Sequence, residues 1–498
     1  MGESLLKAVN IYKSFVGVEA LKNVTFEIKP GEIHCLAGEN GSGKSTLIKI
    51  ISGVYTPDAG YMEFEGKRFS KITPIDAIKN GIQVIYQDFS IFPNLTVMEN
   101  LAFNSELADR RKLVNHKRMR QIAEEAIAKI DFKVDLDAIV GNLSVAEKQM
   151  IAISRALIFN TKLIIMDEPT TALTRREVSN LFKIILRLKE MGIAILFVSH
   201  KLNEVFEISE NFTILRSGER VASGSTSDLD AKKFTYYMTG REFQVHRFEY
   251  EKVKEEPIFS VDKIGIEGSF SNISFDVHSG EIVGITGLLD SGRTELGLAL
   301  FGIKPIEEGE IKMRGKRIKL TNPRRAIHNK IGYLPEDRLS EGLFLSQSIG
   351  DNIVISEIDN LSKAFGILDR KQRRDEIKQW VKNLAIATPN PANACQTLSG
   401  GNQQRVVLAK WLACDLDLLI LNGPTVGVDI GSKHDIHSIL QDLAKRGMGL
   451  IIISDDLPEV LENCSRILVL KNGQVVGDML ASESDEKKIH TIKLDRSL

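Results

Sequence analysis

Apolar and polar positions along this chain alternate in two rhythms, and the whole alternation occurs twice. Short continuous apolar runs, among them Leu163–Met166, Ile193–Val198 and Gly449–Ile453, are bounded by glycine, charge or turn residues, and Ile33–Ala37 also reads as a strand. Their length suits strands buried on both faces, the pattern of a parallel sheet. Val24–Ile28 and Ile273–Val277 read as β segments near the start of each half. In the middle of each half the spacing becomes helical. Ile122, Ala126, Ile127 and Ile130 share one helix face, as do Ile377, Trp380, Val381 and Leu384. Both stripes are expected to be the core of a helical subdomain. Strands then alternate with helices, which predicts an α/β fold.

The repetition is explicit in the letters. Lys29-Pro-Gly-Glu-Ile33 recurs as His278-Ser-Gly-Glu-Ile282, so that Gly31 and Gly280 stand 249 positions apart. Gly38–Thr46 recurs at the same offset of 249 as Gly287–Glu295, with Arg293 where Lys44 stands. Leu143-Ser144 recurs as Leu398-Ser399, and Leu163–Pro169 as Leu418–Pro424, both 255 positions on. Order and spacing are kept, so two homologous domains are expected, 1–240 and 258–498. Residues 241–257 are charge-rich, lack periodicity and end in Pro257, which reads as an exposed linker. The polar stretch Glu483–Leu498 is expected to fray.

Composition narrows the partners. The 498 residues are 43% hydrophobic and 26% charged, with a formal net charge of −1. That gives no electrostatic case for nucleic acid as the ligand. Cys35, Cys395, Cys414 and Cys464 are scattered without a CxxC pair, which favours reduced thiols over disulfides or a zinc ribbon. The start, MGESLLKAVN, has no apolar core of signal-peptide length, and Leu6 stands where a myristoylation signal needs Ser or Thr. No apolar run is long enough to cross a bilayer, so a membrane role is expected to come through a partner.

Gly38-Glu39-Asn40-Gly41-Ser42-Gly43-Lys44-Ser45-Thr46 fits the phosphate-loop pattern GxxxxGK[ST], preceded by the run Ile33–Ala37 and followed by the apolar Leu47–Ile51. Glycines let backbone N–H groups curl around phosphate oxygens, and the following helix turns its N-terminus to the same charge. Lys44 is then expected to bridge the β- and γ-phosphates of ATP or GTP, and the Ser45 hydroxyl to ligate Mg²⁺. The buried run Leu163–Met166 ends in Asp167 and Glu168. One acid can hold the metal's water shell and the other can orient or deprotonate the attacking water.

With Gln87, Leu398-Ser-Gly-Gly-Asn-Gln-Gln404, Asp167-Glu168-Pro169-Thr170 and Ser199-His200 in fixed order, the chain resembles ABC-type ATPases over essentially its whole length, twice. The resemblance implies two P-loop ATPase domains, each with a core α/β subdomain, a β subdomain and a helical subdomain. It implies ATP held between the phosphate loop of one domain and the Ser399-Gly400-Gly401 signature of the other. Ser399 is expected to cap the signature helix, with the Gly400 and Gly401 amides approaching the γ-phosphate. By the same resemblance Gln87 senses Mg²⁺ and a membrane partner, His200 contacts the γ-phosphate, and Phe15 stacks on adenine or is simply a core or turn aromatic.

The two composite sites are unequal. The first combines Lys44, Asp167, Glu168 and His200 with Ser399, Gly400 and Gly401. The second has Gly287, Gly292, Arg293 and Thr294 in its loop, with Asp290 in place of glycine and an anion beside the phosphates. Asn422-Gly423 replaces the two acids, Asp455 the histidine and Glu336 the glutamine, while its signature is Leu143-Ser-Val-Ala-Glu147 without glycines. This second site is expected to hold nucleotide weakly or statically without turnover.

The Arg293-Thr294-Glu295 loop, Pro335-Glu-Asp-Arg338, the LSGGNQQ signature, Val84-Ile-Tyr-Gln87 with Pro93–Val97, and Met238-Thr-Gly-Arg241 resemble the fused double ATPases of bacterial monosaccharide importers. Asn422-Gly423 and Asp290 depart from that group and put activity of the second site in doubt. The resemblance implies a peripheral protein on the cytoplasmic face of the inner membrane, two permease subunits and an extracytoplasmic substrate-binding protein. Nucleosides, autoinducer-2 and sugar alcohols remain alternative cargoes, and a ribosome-associated double ABC protein is the rival from another class.

Overall fold

In a computed structural model of the chain, residues 4–108, 115–171, 173, 175–242, 247–251, 256–288, 290–358, 360–361 and 368–494 are described, the side chains of 104–108, 175, 176 and 494 excepted. The chain divides into two compact units, Met1–Phe243 and Gln244–Leu498.

The strands of the first unit are β1 (Leu6–Phe15), β2 (Val18–Ile28), β3 (Ile33–Ala37), β4 (Ala59–Phe64), β5 (Lys67–Phe69), β6 (Ile82–Ile85), β7 (Leu163–Asp167), β8 (Ala194–Val198), β9 (Asn211–Arg216) and β10 (Glu219–Ser225). They form an antiparallel sheet in the order β2-β1-β4-β5 and a larger sheet in the order β10-β9-β3-β8-β7-β6. All neighbours in the larger sheet are parallel except β9 and β10. Every residue of β3 and β8 is buried, which is why β8 is an uninterrupted apolar run and β3 is apolar except for His34, whose ring nitrogens meet Glu32 at 2.8 Å and Thr213 at 2.9 Å. Parallel alignment brings the loops after β3, β6, β7 and β8 to one edge of the sheet, where ligands of open α/β sheets bind.

Helices Val97–Ala108, His116–Ala128 and Val145–Ala156 surround a separate core that includes Val97, Leu101, Met119, Ala123 and Ile151. The predicted stripe faces inward: Ala126 and Ile130 are buried, and Ile122 and Ile127 pack partly buried against this core. In the second unit, helix Arg370–Asn383 buries Ile377, with Trp380 and Val381 packed against the main core and Leu384 buried just beyond.

The second unit repeats the topology. Its larger sheet runs in the order Ile331–Leu334, Leu418–Asn422, Gly449–Ile453, Ile282–Gly287, Arg466–Lys471, Gln474–Leu480.

Two sequence expectations need correction. Part of the segment read as an exposed linker is packed on the second unit: Phe248 is buried in its core and its N–H donates to the Glu462 carbonyl. The apolar Phe248 and Tyr250 outweigh the charges around them. The C-terminal stretch does not simply fray. Glu486–Leu494 is a helix whose first turn is held by the Asp485 carboxylate, which accepts from the Lys488 N–H at 2.7 Å. Ile489 is fully buried and Ile492 packs beside it, the i, i+3 spacing of a docked face. Residues 495–498 lie outside the described residues. No helix among the described residues is long and apolar enough to cross a membrane.

Candidate functional site

The phosphate loop follows β3 and opens helix Lys44–Ile51 at Gly43, whose φ of 104° is left-handed. A β-carbon on Gly43 would come within 2.6 Å of the Ala20 carbonyl, and one on Gly38 within 2.5 Å of the Leu215 carbonyl. These two glycines are therefore needed for packing against their own framework as well as for room around a phosphate. Lys44 is buried, and its Nζ donates to the carbonyls of Gly38 at 2.6 Å and Glu39 at 2.9 Å. The buried Ser42 Oγ has no hydrogen-bond partner among the described residues. Ser45 is exposed at the helix start. An ammonium held by loop carbonyls beside an unsatisfied hydroxyl fits a chain of phosphate oxygens, which are acceptors for both.

Asp167 ends β7 and Glu168 follows it. Burial next to Glu168 raises Asp167 above the ordinary carboxylate range, against the pull of Lys44 and Lys49. Glu168 is held lower, first by its hydrogen bond with His200, whose Nδ1 lies 3.1 Å from Oε1. The two acids are thus tuned apart, one beside the loop lysine and one on the histidine. The Glu168 backbone is left-handed, with φ 47°, and its N–H donates to the Val198 carbonyl at 3.1 Å. Gln87 is exposed two residues beyond β6, at the same sheet edge. Phe15 is 41% exposed at the β1–β2 hairpin, edge-on to Tyr55 at 5.3 Å. That hairpin abuts the loop through Ala20.

A buried carboxylate under the site escaped sequence reading. Glu204 accepts from Thr170 Oγ1 and Ser199 Oγ, both at 2.6 Å. In the second unit Glu459 accepts from Thr425 and Ser454 at the same 2.6 Å. Burial alone would raise Glu459, but the hydrogen bond and charge of His437 hold it down to about 2. Thr170, Ser199 and Glu204 recur 255 positions on whereas Glu168 and His200 do not. That contrast was available in the letters and separates the frame from the chemistry.

The two signatures differ in what their serines offer. Ser399 was expected to cap its helix, Gly400–Leu412, but its side chain makes no capping bond. Asn402 Nδ2 donates to Ser399 Oγ at 2.9 Å instead, which leaves the serine O–H free to donate outward. In the first unit Ser144 forms a capping box with Glu147, and its hydroxyl donates to that carboxylate at 2.8 Å. A hydroxyl already committed, with an anion beside it, is a poor phosphate donor.

The second loop is built on the same frame with altered chemistry. Arg293 is buried, with Nη1 donating to the Gly287 carbonyl at 3.1 Å and Nη2 3.7 Å from Asp455. Asp290 is exposed in the turn and Thr294 half-buried. Twelve residues join Ile11 to its cross-strand partner Val24, but only eight join Ile264 to Ile273, and the shorter hairpin has no aromatic in the place of Phe15. Asn422 turns its amide to Tyr333 Oη at 3.4 Å, so a neutral contact occupies the Asp167 position.

Gly423 shows why the acid at this position is expensive to keep. Its φ is 61°, left-handed like that of Glu168. A non-glycine residue there costs about 1–2 kcal/mol. The double variant Asn422→Asp/Gly423→Glu is expected to add no ATPase activity, since Arg293 and Asp455 remain. Its β-carbon would stand 2.8 Å from Val426 Cγ2. A melting temperature lower by about 2–4 °C for each kcal/mol lost is the expected readout in a thermal scan.

Lys493, on the C-terminal helix, is buried and donates to Thr286 Oγ1 at 2.8 Å. The corresponding first-unit residues, Met238 and Ala37, are both apolar and buried. Burial and the neighbouring Arg293 push Lys493 down to about 8, against the pull of Asp455. A lysine lowered on folding binds fewer protons than the unfolded chain, so stability should rise as pH climbs from about 8 to 10.5. Lys493→Met is therefore expected to raise stability by about 1–3 kcal/mol at neutral pH, the gain shrinking above pH ~10. Melting curves at the two pH values check it.

The ABC transporter family profile matches residues 21–171 and 270–426. A ribose import ATP-binding protein of Bacillus subtilis (strain 168) is 38% identical over 483 residues, covering 97% of this chain and 98% of its own length. Another from Bacillus licheniformis is 38% identical over 487 residues, covering 98% and 99%. A solved ATP-binding cassette of an ABC transporter in its ADP conformation is 27% identical, covering 47% of this chain and 94% of its own, with a TM-score of 0.42. With a phosphate loop, a strand-end acid pair and a signature helix in one unit or the other, and the profile matched once in each, the chain belongs to the ABC transporter family as two ATP-binding cassettes in one polypeptide.

Proposed function

We propose that this chain is the ATP-hydrolysing subunit that energises uptake of a simple sugar through a membrane permease, with hydrolysis confined to the first unit. The observation that carries the reading is the inequality of the two units. Lys44, Glu168 and His200 form a complete hydrolytic set, whereas Arg293, Gly423 and Asp455 stand in their places in the second. The relatives' names, ribose import ATP-binding proteins, support the cargo class.

Residues Gly38–Thr46 wrap the phosphates, with Lys44 neutralising the β- and γ-oxygens. Phe15 offers a face for adenine. Glu168, oriented by His200, positions the attacking water and receives its proton. Ser399 and the amides of Gly400 and Gly401, at the start of the signature helix, are donors for a γ-phosphate. Ser45, with Asp167 and Gln87 through water, would hold Mg²⁺, which supplies positive charge against the phosphates. Gly287, Gly292, Arg293 and Thr294 retain a nucleotide without turning it over. The partners are two permease subunits, met on the cytoplasmic face of the inner membrane, and an extracytoplasmic binding protein.

The test is to tag the Glu168→Gln variant, trap it with Mg-ATP in its native host, and identify co-purifying proteins by mass spectrometry. A polytopic permease and a secreted binding protein are the expected catch, and the latter can then be screened against sugars. Ribosomal proteins without any membrane protein would overturn the reading.

A further inference from the structure

The segment that stands in the second unit where the first carries Gln87 is tied to the signature helix at both of its ends. It runs from Pro335 through a turn of π-helix at Arg338–Gly342, a geometry frequent at functional sites. Asp337 starts that turn, accepting from the Leu339 N–H at 2.9 Å and the Ser340 N–H at 3.3 Å. At the far end Lys410, on the signature helix, donates to the Gly342 carbonyl at 2.7 Å. At the near end stands Arg338. Its Nη1 donates to the Val426 carbonyl at 2.7 Å, its Nη2 to the Gly427 carbonyl at 3.1 Å, and its Nε to Gln403 Oε1 at 3.4 Å.

The guanidinium is wedged between two glycines. A β-carbon on Gly400 would lie 2.8 Å from Nη2 and 3.0 Å from the Gly427 carbonyl, and one on Gly427 would lie 3.0 Å from Nη1. Gly400 is the first glycine of the signature, and Gly427 belongs to the loop after strand Leu418–Asn422. Arg338 thus fixes three pieces of backbone against one another: its own segment, the start of the signature helix and the 423–429 loop. A planar fork of donors can hold two adjacent carbonyls at once, and an ammonium cannot reproduce that geometry. The position 249 residues earlier is Phe89; in the first unit that segment is held from the helix Val145–Ala156 instead, where Arg155 donates to the carbonyls of Ser90 at 2.8 Å and Phe89 at 2.9 Å.

We propose that Arg338 is a positioning residue for ATP hydrolysis. It acts by holding the Ser399–Gly401 donors in register, and it links that register to the segment that replaces Gln87. The inference rests on the reading, proposed above, that these donors serve a γ-phosphate.

The test uses the full chain and three variants, Arg338→Ala, Arg338→Lys and Ser399→Arg, with kcat, KM, MgADP affinity and melting temperature measured for each. The signature meets only a γ-phosphate, so ADP affinity should not depend on it. For Arg338→Ala the expected result is kcat lower by at least about tenfold with KM and ADP affinity within about threefold. Arg338→Lys, which preserves charge and bulk, should recover less than about a third of the parent kcat. A kcat within about twofold of the parent in either variant would overturn the proposal. So would a parallel fall of kcat, ADP affinity and melting temperature, which marks simple unfolding of the unit. If Arg338→Ala does not fold, Arg338→Lys decides. Ser399→Arg separates the two levels. If it retains activity, the reading of Ser399–Gly401 as phosphate donors falls and this proposal with it. If it is inactive while the Arg338 variants are not, only the present inference falls.

Discussion

Replacing Glu168 with glutamine is expected to lower steady-state ATP hydrolysis by about 10²- to 10⁴-fold while leaving Mg-ATP bound. The amide keeps the shape and can still meet His200, whose Nδ1 lies 3.1 Å from the carboxylate. It cannot take a proton from water. Lys44, the Ser42 hydroxyl and the loop amides are untouched, so phosphate binding is preserved and the variant should accumulate with its nucleotide unhydrolysed. The second unit is expected not to compensate, because Gly423 occupies the same left-handed position with no side chain at all. Phosphate release and bound nucleotide are measured on the same preparation. Retention of half the parent rate would mean that the second unit turns over ATP.

The complementary variant, Lys44→Ala, should lose binding and hydrolysis together. The buried ammonium is the fixed positive charge at the mouth of the loop, 2.6 Å from the Gly38 carbonyl and 2.9 Å from that of Glu39. Hydrogen bonds to charged groups are worth about 1.5–3 kcal/mol each, so affinity for ATP at this loop should fall by about tenfold to a hundredfold or more. Removing Lys44 leaves Asp167 and Glu168 without their nearest cation in the loop, which adds repulsion against an incoming polyphosphate. Nucleotide titration separates the two variants: Glu168→Gln binds without turnover, and Lys44→Ala does neither. A Lys44→Ala chain that hydrolyses at the parent rate would place the chemistry elsewhere.

What could be read from the sequence was whatever depends on spacing. Buried parallel strands are mostly apolar because both of their faces are covered, and β3 begins and ends at Ile33 and Ala37, the bounds read from the sequence. The repeat carried the topology of one unit over to the other. The parallel sheet then brought the loops after β3, β6, β7 and β8 to one edge, uniting residues far apart in the chain. What could not be read depends on which of several available partners a polar atom takes. Ser399 precedes a helix as a cap should, yet Asn402 claims its oxygen. The strain at Glu168 is invisible in letters, although Gly423 at the repeated position hints at it. Lys493 lies in a segment whose polarity suggested fraying, but two isoleucines dock the helix and bury the lysine with them. Phe248 and Tyr250 were likewise hidden among charges.

Counting phosphate in a single turnover tests hydrolysis at one site most directly. The chain, assembled with its membrane partners and loaded with ATP without magnesium, is mixed with magnesium and quenched before a second nucleotide binds. About one phosphate per chain is the expected burst, abolished by Glu168→Gln. Two phosphates per chain, or one that survives Glu168→Gln, would contradict confinement of the chemistry to the first unit.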